Sequence, residues 1–161
     1  VDTMTRRLLL HPYTPAEAER VLAGRPRADD NWAEGYPFAD ELDILPRFID
    51  DFRANGDPRP FGPYVIRRLT DGAAVGGIGF TGFPDAEGAV EVGYGLVRGA
   101  RGRGFATEAL AALGEVARAS GARIIRADTR TDNIASQRVL LRCGFAEASR
   151  AEGSVFFERS L

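Results

Sequence analysis

The chain contains no lysine; all 21 of its basic residues are arginine. A Schiff-base lysine and the lysine of a phosphate-binding P-loop are therefore excluded. The only cysteine, Cys143, excludes an intramolecular disulfide and any cysteine-cluster zinc site. The only histidine, His11, excludes a multi-histidine centre, and no motif places it in a Ser-His-Asp triad. No metal is expected. Long apolar runs are missing as well. Leu8-Leu9-Leu10 falls far short of a signal sequence or of the ~20 residues that span a bilayer. A cytoplasmic protein with no membrane partner is expected. Nor is there a basic excess: 21 basic against 23 acidic residues leaves a net charge of −2. That balance argues against nucleic acid as a partner.

What is present is one domain's worth of chain, residues 1–161, with 44% hydrophobic residues. A chain of this size buries roughly 70% of its surface on folding. Arg6 to Leu10 reads as a first strand. Thr14-Pro15-Ala16-Glu17 opens a helix with Thr as cap, Pro in the first turn and Glu three residues after the cap, and Gly24 ends it. Residues 25–43 read as a polar, turn-rich stretch. A second helix is expected from Pro46 to Ala54, with Leu45, Phe48, Ile49 and Phe52 on one face. Strands follow at Tyr64–Leu69 and Ala74–Thr81 around an Asp71-Gly72 turn, and at Ala89–Val97. Ala106, Ala109, Leu110, Leu113, Val116 and Ala117 recur at helical spacing. A strand Arg123–Asp128, a helix Asn133–Cys143 and a hairpin of Phe145–Arg150 with Ser154–Arg159 complete the chain. This order predicts a mixed α/β fold, a largely antiparallel central sheet flanked by helices.

The densest signal is Val97-Arg98-Gly99-Ala100-Arg101-Gly102-Arg103-Gly104-Phe105-Ala106-Thr107-Glu108. A strand ends, glycines free the backbone and an alanine-rich helix begins, which aims amide groups and a helix N-terminus at one spot suited to phosphate. Arg98, Arg101 and Arg103 add charge-assisted donors. A plain strand-to-helix turn with solvated arginines is the alternative. A Walker loop fails, because Phe105-Ala106 stands where Lys-Ser/Thr is required. A dinucleotide-binding domain is disfavoured, because Arg101 occupies the middle position of G-x-G-x-x-G, where only glycine lets the backbone reach a pyrophosphate.

Arg101-x-x-Gly104-x-Ala106 resembles the acetyl-CoA loop, R/Q-x-x-G-x-G/A, of the GNAT N-acetyltransferase superfamily. Asn133-Ile134-Ala135-Ser136, running on to Gly144-Phe145, resembles the family's second hallmark. Glu91-Val92-Gly93-Tyr94-Gly95-Leu96-Val97 is similar to the strand before the loop in the Rim-type branch, which includes enzymes that acetylate ribosomal-protein N-termini. The resemblance spans essentially the whole chain. It implies acetyl-CoA as cosubstrate, a primary amine (a small molecule or a protein N-terminus) as acceptor, and direct transfer. It assigns the pyrophosphate to the loop around Arg98, Arg101, Gly102, Arg103, Gly104, Phe105, Ala106 and Thr107. The pantetheine arm falls to Gly95, Leu96, Val97 and Asn133, although Asn133 also suits a helix cap. Glu91 is the candidate base, sharing a strand face with Gly93 and Gly95; a solvent-facing acid is the alternative. Many family members carry a tyrosine acid seven residues after the Asn, where this chain has Leu140. Ser136 then becomes the candidate acid, or merely orients the thioester or caps its helix. A GNAT-fold module that holds CoA without transferring from it stays open, as does assembly as a homodimer.

Charge offers one clue to the acceptor. Asp29, Asp30, Glu34, Asp40, Glu41, Asp43, Asp50 and Asp51 stand against Arg47 alone. Interleaved Trp32, Tyr36 and Phe38 are expected to wall in a cationic amine, unless the segment is simply a solvated acidic loop.

Overall fold

The computed structural model describes residues 1–161. Its strands are β1 Thr3–Met4, β2 Leu8–Pro12, β3 Pro63–Arg68, β4 Ala74–Phe80, β5 Ala89–Leu96, β6 Ile124–Arg130, β7 Ala146–Ala151 and β8 Ser154–Ser160. Its helices are α1 Pro15–Ala23, α2 Ala39–Asn55, α3 Phe105–Ala119 and α4 Ile134–Arg142. The strands form one sheet in the order β1-β2-β3-β4-β5-β6-β8-β7. Every neighbouring pair is antiparallel except β5–β6. The mixed, largely antiparallel sheet expected from the element order is present.

Local chemistry sets the elements that frame the site. Thr14 caps α1 by accepting a bond from the Glu17 amide at 3.2 Å, and Gly24 ends it in the left-handed region. In α3, Phe105, Ala109, Leu110, Leu113 and Ala117 recur at three- and four-residue steps and are buried. The alanines among them let the helix lie close to the sheet. One core of buried side chains runs through both sheet faces, with Leu8, Leu10, Leu45, Ile66, Leu110, Leu113, Ile125 and Leu140 sealed from solvent.

Three expectations need correction. The first strand is Leu8–Pro12, not Arg6–Leu10, and it is preceded by the two-residue β1. Arg6 and Arg7 belong to the turn between them. The second helix starts at Ala39, not Pro46, so Pro46 lies inside α2. Its inward face is Glu41, Leu45, Phe48 and Ile49; an acid at the first of these positions interrupts the apolar period that would have revealed the first two turns. Finally, Trp32 and Tyr36 pack on one another with ring centroids 5.7 Å apart, and Tyr36 is buried, so of the three aromatics only Phe38 reaches the cleft described below.

Candidate active site

β5 pairs with β6 only through Ala89, Val90 and Glu91. Beyond Glu91 the two strands part, and the free edge of β5 faces the start of α4. A cleft of about 550 Å³ fills the opening, lined from β5 by Tyr94, Gly95 and Leu96 and from the glycine loop by Arg101, Gly102 and Gly104. Phe105, Ala106 and Thr107 of α3 and Asn133, Ala135, Ser136, Arg138, Val139 and Arg142 of the α4 region continue the wall, and Phe38 and Asp40 close it.

The glycine loop presents an unusual run of free donors. The first backbone bond of α3 is from the Glu108 amide to the Gly104 carbonyl, 3.0 Å. The amides of residues 102–107 donate to no protein acceptor, so the cleft meets the unpaired donors and the positive dipole end of a 15-residue helix. Gly104, the residue preceding the helix, has φ +80°, and Gly102 has φ +76°, a region costly for a side chain. Arg101 departs from the expected set. Its amide is held by Arg98 O at 3.3 Å, and its guanidinium Nε donates to Leu96 O at 3.1 Å, tying the loop back to β5. Arg98, Arg103 and the buried Val97 do not line the cleft.

A brace beneath the loop escaped the sequence reading. Arg7, in the β1–β2 turn, donates to Arg103 O at 2.8 Å and to Glu108 Oε1 at 2.8 Å, and stacks 4.7 Å from the Phe105 ring centroid. Glu108 also accepts from the Thr5 hydroxyl at 2.5 Å. No spacing links residue 7 to residue 108; sheet topology alone brings them together.

Across the cleft, Asn133 Oδ1 accepts from the Ser136 amide at 3.1 Å and so caps α4. The Ser136 hydroxyl shares a 2.9 Å hydrogen bond with Tyr94 OH, spanning from α4 to the free edge of β5. Burial pushes the Tyr94 phenol up to about 12, so it stays protonated at neutral pH. Leu140 is sealed in the core. Cys143 donates its thiol to Thr107 O at 3.4 Å, and burial raises its pKa, as suits a small interior residue.

On the opposite strand face, Glu91 is exposed and forms no ion pair or side-chain hydrogen bond, and it does not line the cleft. It shares that face with Gly93, over which there is open space, and with Gly95, which Phe38 covers. Of the acidic segment, Asp30 is paired bidentately with Arg20 at 2.7 and 2.8 Å, and that bond holds its carboxyl down at about 2. Glu41 is buried, and the other six carboxylates remain exposed. A wider hollow of about 730 Å³ lies beside α1, walled by Arg20, Asp30 and Arg67, which are bonded to one another or to backbone carbonyls, and by Arg27 and Asp29. No group of three metal-ligating side chains occurs, and no helix is long and apolar enough to cross a membrane.

Comparison with known proteins agrees with this architecture. The family described as "Acetyltransferase (GNAT) domain" matches residues 7–146. An uncharacterized N-acetyltransferase of Bacillus subtilis, YjdG, is 30% identical over 112 residues, 68% of this chain and 66% of that protein, just under two thirds of its length. Solved structures share the fold, among them the following two. The ribosomal-protein-S5-alanine acetyltransferase of Vibrio fischeri superposes with a TM-score of 0.71 at 16% identity, covering 99% of this chain and 96% of its own. RimJ of Mycobacterium smegmatis, in complex with CoA-disulfide, gives 0.67 at 23% identity, covering 95% and 81%. With a family match over residues 7–146 and the split sheet, glycine loop and α4 motif in their places, the chain belongs to the GNAT acetyltransferase family.

Proposed function

We propose that this protein transfers the acetyl group of acetyl-CoA to a primary amine without an acyl-enzyme intermediate. The observation that carries the reading is the run of free amides at 102–107 opening into a cleft that continues along the unpaired edge of β5. A pyrophosphate on those amides, with Arg138 and Arg142 at the rim, satisfies donors that otherwise have only water. The pantetheine arm then extends along Gly95 and Leu96 toward the opening beside Tyr94, and Asn133 faces it.

In the transfer, the amine nitrogen attacks the thioester carbonyl and its proton passes to Glu91 through water. Collapse of the tetrahedral intermediate breaks the C–S bond. A thiol of pKa about 8.5 leaves readily as a thiolate, so a hydrogen bond from Ser136, itself held by Tyr94, suffices to stabilise it and solvent supplies the final proton. That accounts for a catalytic centre with leucine at position 140. The acceptor is a protein N-terminus with basic neighbours or a small polycationic amine, drawn by the exposed carboxylates of residues 29–51. The ribosomal-protein acetyltransferase with this fold supports the first choice. A module that binds CoA without turnover is the competing reading, favoured by the lack of a phenol at Leu140.

The test is thermal. CoA at 100 times its Kd adds about 2.7 kcal/mol, which for a chain this long raises Tm by roughly 5–10 °C. No shift with CoA alongside a shift with NAD overturns the assignment.

A further inference from the structure

Of the two buried acids of the 29–51 segment, Asp30 is paired with Arg20, whereas Glu41, only 1% exposed, has no cation beside it. The Tyr13 hydroxyl donates to Oε2 at 3.0 Å, and Tyr36 OH makes a short hydrogen bond with Tyr13 OH. Oε1 accepts no bond from the protein. It lies on the backbone of Gly77, where a Cβ would fall inside the carboxyl and 2.6 Å from its Cδ.

Its surroundings connect it to the cleft. Gly77 pairs across the strands with Gly95, a cleft residue. Phe38, three residues before Glu41, covers Gly95 so closely that a Cβ there would stand 2.5 Å from the ring. Asp40 lines the cleft itself. The titratable groups facing Glu41 are Tyr13 from beyond β2, Tyr36 from the preceding loop and Asp40 from its own helix; β4 and β5 present glycines. Arg67 and Glu17 act on Tyr36, and no cation pairs with Glu41. A carboxylate buried with one hydrogen bond is expensive unless a partner completes it.

We propose that Glu41 is a positioning residue for the acceptor: its carboxylate, behind Phe38 and braced by Tyr13, draws the acceptor's ammonium group into the space over Gly93. This rests on the transferase reading above and names what holds the amine. Burial pushes the carboxyl up to about 7, with Asp40 acting in the same direction against the Tyr13 bond. The attraction therefore switches on as pH rises through neutrality, and a bound cation pulls the carboxyl back down.

The experiment is calorimetric binding of spermidine to the CoA-saturated full chain at pH 6 and pH 8. A group titrating near 7 is about one-eleventh ionised at pH 6 and ten-elevenths at pH 8, so wild-type affinity rises about tenfold. Glu41→Gln preserves shape and the Tyr13 contact but removes the charge. It should bind spermidine about tenfold more weakly at pH 8, with the rise abolished and CoA affinity unchanged. Glu41→Asp should keep the rise. His11, which also loses charge with rising pH, is unaltered in both variants, so a rise surviving in Glu41→Gln belongs to it and overturns the proposal. Spermidine affinity equal in wild type and Glu41→Gln, or no spermidine binding to the CoA complex, overturns it too. Failure of CoA itself to bind would instead remove the transferase reading.

Discussion

Of the chain's glycines, Gly77 leaves the least room for a side chain, and the obstacle is the carboxyl of Glu41. In Gly77→Ala the new methyl occupies the space of the Glu41 carboxyl, with Cδ only 2.6 Å away. The backbone of β4 is pinned on both sides by β3 and β5, so the carboxyl must move. Moving it breaks the bond to Tyr13 and leaves a buried acid without a partner, while the Tyr13 hydroxyl keeps Tyr36, about 1–3 kcal/mol. Overpacking adds about 1–3 kcal/mol. The single substitution should therefore cost about 2–6 kcal/mol, a Tm fall of roughly 5–20 °C at this chain length. With Glu41→Ala already in place the obstacle is gone, and the methyl fills part of the vacated space. Gly77→Ala should then cost less than about 1 kcal/mol, so the two changes couple favourably by about 2–4 kcal/mol. Urea unfolding of the wild type, both single variants and the double variant measures the coupling directly. Additive losses would refute the claim that Gly77 is glycine because of Glu41.

Gly104→Val should cost about 1–2 kcal/mol for its left-handed backbone and abolish the CoA-induced Tm shift, measured by calorimetry; a retained shift separates the loop from the ligand. Glu91→Gln should lower kcat by about 100-fold with the KM for acetyl-CoA nearly unchanged, whereas wild-type rates would leave Glu91 a solvent-facing acid. His11 lies between Glu17 and Asp2, and the hydrogen bond to Glu17 leads the rise in its pKa above 6.5. Its folded pKa exceeds the unfolded one, so its contribution to stability is complete below about 6.5 and is lost as pH climbs through the folded value. His11→Gln should thus lose more Tm at pH 5.5 than at pH 8.5, and an equal loss at both would contradict this.

Much of this was legible because it depends on local rules. Thr14, Pro15 and Gly24 bound α1 by cap chemistry; the Asn133 cap and the helical spacing in 105–117 are equally local. The glycine loop was readable because free amides at a helix start require few side chains. What escaped depends on distance in the chain. Arg7 supports Arg103 only through the sheet, and Tyr94 meets Ser136 only because β5 and β6 part after Glu91. The first turns of α2 were hidden for a different reason. Glu41 occupies a core position that an apolar residue normally fills, so a pattern search stops at Leu45, and the residue that breaks the helix pattern is also the one whose burial calls for a functional account.

Acetyl transfer is read directly as thiol release from acetyl-CoA with and without amines. Spermidine and a peptide with a free N-terminus followed by two arginines serve as acceptors, with the acetylated product identified by mass. Amine-dependent release that weakens from low to high salt, as exposed carboxylates are screened within ~8 Å at physiological ionic strength, is the predicted result. CoA binding with no amine-dependent release from either acceptor, or a rate indifferent to salt with an anionic acceptor preferred, would contradict it.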